Sequence, residues 1–470
     1  MTRADSGAED VGDRTGRATL PGPAWVSAGG ATATAAAALA WVVMLGAILR
    51  HRVYVSHDTM ISYAHVWYVS ERLRHGHGIP LHMPVVGHGH GFAFPYGLLP
   101  WLTAAFLWPV LGEWGVTLWF VVGAVAVILA TFAAFPELRR HWWAAAVLVN
   151  PLLVAAPVIG QMPFLWATAL LLGAVALWRR GRRVPAVVLA ALAQVTHPAV
   201  LMPITAGLVA GWLPWEADRR ALLRAYVVSA LVALPAALLV YASPVFQEAS
   251  LATKLTNFAG TVLARGVVVA VPVALVALRR TGRQWPAVAA VVLLLLANVA
   301  VIGPLGGRYA WGALRRQPNE TMLVVARRTG VVRGATYRVL RAGDGKVGTY
   351  QLMRLGARLD SEFFPESIDR RSFAGQEAYS AFLRRRRVDF VMVWATYDRK
   401  FRTNEHALLD RMSHVAAPTA CDGSLVGVAE VAHERSAFLY AVRRGCPATS
   451  STAASSASTT SDASRSVMSE

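Results

Sequence analysis

Long apolar runs separated by short clusters of arginine dominate this chain. Runs long enough to cross a bilayer fall at 31–49, 94–111, 115–135, 142–158, 162–178, 184–213, 222–241, 260–278 and 285–303. The run at 184–213 is longer than one span needs and is interrupted by Thr196, His197 and Pro198. It therefore predicts two short helices meeting at the outer face, which turns nine spans into ten. From 305 to 447 the pattern changes to short β-type runs at 322–326, 337–340, 389–394 and 438–442. These alternate with helical stretches at 376–387 and 405–412, which predicts a small α/β domain.

Composition agrees with this division. A hydrophobic content of 55%, a mean hydropathy of +0.43 and only 16% charged residues exceed what a water-facing surface can conceal. The net charge of +19 alone suggests nucleic acid, but the arginines sit in short runs between apolar stretches, as membrane orientation requires, and a nucleic-acid partner is set aside. Arg139 and Arg140, the run 179–183, Arg219 and Arg220, and the run 279–283 are all expected on the cytoplasmic side. All can lie there together only if 184–213 is a hairpin and 94–111, with Pro95, Pro100 and Pro109, dips in and returns. A nine-span alternative leaves some of them outside. Both versions place the loop 50–93 and everything after 304 outside.

The expected organisation is a polar cytoplasmic tail (1–24), a transmembrane domain (25–304), an extracytoplasmic α/β domain (305–447) and a Ser/Thr/Ala-rich tail (448–470). Cys421 and Cys446 both fall in the last polar region, which fits a disulfide in an oxidising compartment or, alternatively, two unpaired thiols.

The first outer loop carries the most chemistry. Asp58 follows His57 and precedes a helical pattern in which Met60, Ala64 and Trp67 share one face, while His65 and Arg72 share another. This predicts a short amphipathic helix along the membrane surface. A carboxylate beside an imidazole at the bilayer edge can act as general base toward an attacking hydroxyl; the alternative is that Asp58 or Ser56 simply caps the helix. Seven of the 13 histidines lie between His57 and His90, either as donors or metal ligands or as a solvated interfacial segment.

The His57-Asp58 loop, the Pro95-Tyr96-Gly97 entry into the next apolar run and the stretch NPLLVAAPVIGQMPFL at 150–165 together resemble polytopic GT-C glycosyltransferases. The stretch at 150–165 is similar to the Asn-Pro and Gly-Gln pattern of polyprenol-dependent mannosyltransferases. The loop also resembles bacterial membrane proteins named "6-pyruvoyl-tetrahydropterin synthase-related". The resemblance spans roughly 30–300. It implies inverting sugar transfer from a polyprenyl-phosphate donor to a glycan or glycolipid acceptor at the outer face of the plasma membrane, with Asp58 as base and His57 orienting it. Many members carry two acids in this loop, whereas here none follows Asp58 until Glu71, so a divalent metal is left open.

A phosphate leaving group calls for a cation. Lys254, the only lysine before the C-terminal domain, and Arg265 are the candidates in and just beyond the loop 242–260, with Glu248 as a second acid; Lys254 can equally anchor a helix end at the headgroups. His197, at a proline break in an apolar run, is either a structural residue or part of a cavity wall, and Tyr96 completes the candidate substrate contacts. Two other classes remain: a transporter or flippase for a lipid-linked substrate, and a non-catalytic envelope scaffold.

Overall fold

The computed structural model describes residues 24–54, 58–80, 83–87, 97–139, 141–241, 251–280, 330–340, 346–360, 371–414, 425–434 and 437–444, with 289, 292, 293 and 296. His57, Tyr96, Glu248, Cys421, Cys446 and the β-type run at 322–326 lie outside them, as does most of the apolar run at 285–303. The chain divides into two units, Met1–His82 with Phe92–Arg316, and Met83–Gly91 with Gln317–Glu470.

The first unit is helical: α1 (Ala24–Leu49), α2 (Thr59–Arg74), α3 (Leu98–Leu111), α4 (Glu113–Ala134), α5 (His141–Leu148), α6 (Pro151–Ile159), α7 (Met162–Arg179), α8 (Arg183–Thr196), α9 (Pro198–Trp212), α10 (Arg219–Tyr241) and α11 (Leu251–Arg280). Among the described residues, five helical segments are long and apolar enough to cross a membrane: in α1, α4, α5 with α6, α7 and α10. The runs at 94–111 and 184–213 contribute shorter apolar helices, Leu99–Leu111, Arg183–Thr196 and Pro198–Trp212, and 260–278 lies within the 30-residue α11, with Arg265–Leu278 as its apolar part. α1 and α10 leave Val42, Val43, Leu231 and Val232 exposed, a surface suited to hydrocarbon rather than water.

The interior is built from small residues that let helices approach closely. At Gly123 on α4, an added Cβ would stand 2.9 Å from Trp166 Nε1 on α7, and Trp119 stacks on Trp166 at 4.5 Å. The chain doubles back at His197, because residues from the start of α8 (Ala186, Ala190) and the end of α9 (Leu208, Trp212) line one groove with the end of α7 and the start of α10. The predicted hairpin at 184–213 is thus present. The arginines of 179–183 and 219–220 consequently share one end of the bundle. Arg179 also reaches Glu137, in the turn after α4, at 2.9 Å, which places the neighbouring Arg139 at that end too.

The second unit holds β1 (Thr336–Leu340), α12 (Lys346–Arg354), β2 (Arg358–Leu359), α13 (Gln376–Arg385), β3 (Phe390–Trp394), α14 (Tyr397–Phe401), α15 (Glu405–His414), β4 (Gly427–Glu434) and β5 (Ala437–Arg443). The sheet order is β2-β1-β3-β5-β4. β1 pairs in parallel with β2 and β3, and β5 runs antiparallel to β3 and β4. Val85, from the first loop, belongs to this unit and accepts a hydrogen bond from Leu359 N at the sheet edge (2.8 Å). Arg338 on β1 is buried between Glu405 and Asp360, at 2.7 Å from each. Of the arginine run at 384–387, Arg385 and Arg386 turn back over the Phe382 ring.

Candidate functional site

The site grows from two helix ends that meet. Asn150 caps α6 by accepting a hydrogen bond from Leu152 N (3.2 Å), and Pro151 occupies the first turn, where its missing N–H costs nothing. α6 stops at Gly160, which adopts a left-handed φ of 81°, while Gln161 N reaches back to Ala156 O (2.9 Å). This is a Schellman stop, and it turns the Ile159 carbonyl toward the start of α2. Asp58 N donates to that carbonyl at 2.9 Å. A Cβ on Gly160 would stand 2.7 Å from the Thr59 amide nitrogen, so only glycine admits α2 here. Gly160→Ala combines a left-handed backbone with a backbone clash. It is expected to cost about 1–3 kcal/mol and to displace Asp58, which a lowered melting temperature of the purified protein would register.

Asp58 occupies the N-cap position of α2 with φ −109°, and its side chain makes no capping bond; Ser56, the other capping candidate, lies outside the described residues. Nor does α2 lie along a surface. Met60, Ile61, Tyr63, Ala64, His65, Val66 and Val69 are all buried, so the helix is enclosed on every side near its start. Several polar side chains of this helix are held inside. Trp101 Nε1 donates to Ser62 Oγ (3.1 Å), and the His65 ring stacks on Trp101 at 4.0 Å. Tyr54 N donates to Tyr63 Oη (2.9 Å), and Tyr63 and Thr117 share a hydrogen bond of 2.5 Å. Burial pushes the Tyr63 hydroxyl well above its usual range, so it stays protonated as part of this frame.

A cation reaches the same turn. Arg265 Nε on α11 donates to Gln161 Oε1 (3.3 Å), and its guanidinium lies 5.8 Å from the centre of the Phe164 ring. His197 meets that ring edge-on at 6.5 Å. Two residues along α11, Val267 O accepts from Asn150 Nδ2 (3.3 Å), so the helix bearing Arg265 is tied to the Asn-Pro end of α6 as well. Asp58, Arg265 and His197 are thus gathered around the Gly160-Gln161 turn. Gln161 and Phe164 are members of the site to which sequence reasoning gave no role, although both stand in the quoted 150–165 stretch. Lys254 falls in the first turns of α11 and not in a loop.

Among the described residues, no group of three or more His, Cys, Asp or Glu is placed to hold a metal ion. The site and the arginine-rich end are opposite ends of α7, whose 18 residues separate them by about 27 Å. No family model matches the chain, and no curated protein does.

Proposed function

We propose that the protein is a multi-pass membrane transferase of the GT-C kind, passing a sugar from a polyprenyl-phosphate donor to a glycan or glycolipid of the cell envelope. The observation that carries this reading is the convergence of an acid, Asp58, and a cation, Arg265, on the single turn at Gly160-Gln161. The arginines of 139, 179–183 and 219–220 gather at the other end of the bundle, and cationic ends stay cytoplasmic. Asp58 then faces outward, at the level where a lipid phosphate meets water.

In the proposed reaction the acceptor hydroxyl attacks the anomeric carbon from the side opposite the phosphate. Its proton passes to the Asp58 carboxylate as the new C–O bond forms. The bond to the phosphate oxygen breaks with its electron pair, and Arg265 neutralises the charge left on the polyprenyl phosphate. Inversion follows from the single displacement. His57 and Lys254 are assigned the supporting roles of orienting Asp58 and contacting phosphate, and Tyr96, Glu248 and His197 those of lining the substrate path.

The test is transfer by the purified full chain in nanodiscs supplied with a radiolabelled polyprenyl-phosphate hexose or pentose and envelope lipids. Labelled product with inverted configuration and release of polyprenyl phosphate are expected. No turnover of any such donor by folded protein would overturn the reading. Arg265→Gln should lower kcat by about a hundredfold, since the cation acts on charge that develops in the transition state.

A further inference from the structure

At the arginine end, away from Asp58, the end of α7, the start of α8, the end of α9 and the start of α10 line a half-open groove. Its walls are almost wholly apolar, with Leu171, Val175, Ala190, Leu208 and Leu222 along its length and Trp178 and Trp212 toward the arginine end. The groove lies within helices suited to hydrocarbon, so a hydrocarbon chain is the occupant its walls accept. Its mouth is cationic. Arg183 stands 5.5 Å over the Trp178 ring, and Arg179 lines the groove itself. Both are already paired, with Asp218 and Glu137, each at 2.9 Å. Beside them Arg180, Arg182 and Arg220 are exposed, and among the described residues no acidic side chain pairs with their guanidinium groups. An apolar slot with surplus positive charge at one end complements a lipid that carries one negative phosphate above its tails.

We infer that this groove is a binding site for an anionic diacyl phospholipid of the cytoplasmic leaflet, one acyl chain lying between α7, α8, α9 and α10 and the phosphodiester among Arg180, Arg182 and Arg220. The inference rests on the membrane reading of the bundle but not on sugar transfer. The bound lipid would hold the α8–α9 hairpin against α7 and α10 from the side opposite the reaction.

Native mass spectrometry of the full chain released from detergent, after exchange into phosphatidylglycerol or phosphatidylcholine, tests it. One phosphatidylglycerol retained per chain, and no retained phosphatidylcholine, is expected. Ala190→Trp fills the groove and should abolish that adduct. Should the tryptophan prevent folding, Arg180→Gln/Arg182→Gln/Arg220→Gln leaves the apolar interior untouched and is expected to weaken retention by about fivefold per arginine. Equal retention of phosphatidylcholine, an adduct that survives these changes in folded protein, or a groove that takes undecaprenyl phosphate while refusing phosphatidylglycerol would each overturn the assignment. None of these readouts depends on turnover, so a failed transfer assay leaves the groove to be judged separately.

Discussion

Asp58→Asn is expected to lower sugar transfer by about 10²–10⁴-fold, the span over which a positioned general base contributes. The amide keeps the size of the carboxyl and leaves the backbone bond from Asp58 N to Ile159 O untouched, so α2 should stay seated on the Gly160 turn. Melting temperature and donor KM are therefore expected to remain near wild type while kcat collapses. That split separates chemistry from structure. If Asp58 only anchored the helix, kcat would persist or would fall together with stability. Full kcat in folded Asp58→Asn would remove Asp58 from the reaction.

Arg338→Met is expected to destabilise the C-terminal unit by about 3–5 kcal/mol, the cost of removing one member of a buried charge cluster. Arg338, Asp360 and Glu405 are at most 2% exposed in their side chains, and the guanidinium makes two bonds to Glu405 (2.8 and 2.7 Å) and one to Asp360 (2.7 Å). Burial works against the charge on Arg338, yet Glu405 and Asp360 hold it well above even the usual arginine range. Burial pushes the Glu405 carboxyl up while Arg338 pulls it back; without Arg338 the push of burial is opposed only by the Tyr379 hydroxyl. In Arg338→Met the Glu405 carboxyl would take up a proton more readily folded than unfolded. The variant should then be weakest at neutral pH and recover as pH falls toward the ordinary carboxylate range of about 4. Thermal melts of the full chain across pH check both statements. Replacing all three residues by apolar ones of similar volume is expected to restore most of the loss, since the cluster's desolvation cost disappears with its charges.

Much of this architecture can be read from residues whose effect is local. Pro198 cannot donate a backbone hydrogen bond and suits a first helical turn, so the break at Thr196-His197-Pro198 announces itself. Asn150-Pro151 is a helix start and Gly160-Gln161 a helix stop by the same kind of logic. The β-type runs at 337–340 and 438–442 lie in β1 and β5, and the run at 389–394 covers β3 with Asp389 just before it. What escapes is decided at long range. The polar residues of α2 look solvated because their partners, Trp101 and Thr117, lie 39 and 54 residues away from Ser62 and Tyr63. Arg338 looks like an interruption in an apolar strand until Glu405, 67 residues on, folds against it. β2 is only two residues long and has no pattern to read. α3 has 14 residues and turns into α4 through Gly112 alone, a boundary that apolar content does not reveal. At the site, Asp58, Arg265 and His197 carry chemistry in their side chains and could be nominated from sequence. Gln161 and Phe164 become relevant only because two distant helices converge on them.

The hairpin at His197 has a mechanical consequence. α8 and α9 have 14 and 15 residues, so each arm is only about 21–23 Å long against a hydrocarbon layer of about 30 Å. Val184 and Val188 are exposed on its outer side, where annular lipids must fit themselves to the shorter arm. The cheapest accommodation of such a mismatch is a dimple, the two leaflets drawing together beside the protein. A long-tailed substrate in that thinned patch would ride with its headgroup sunk toward the bundle.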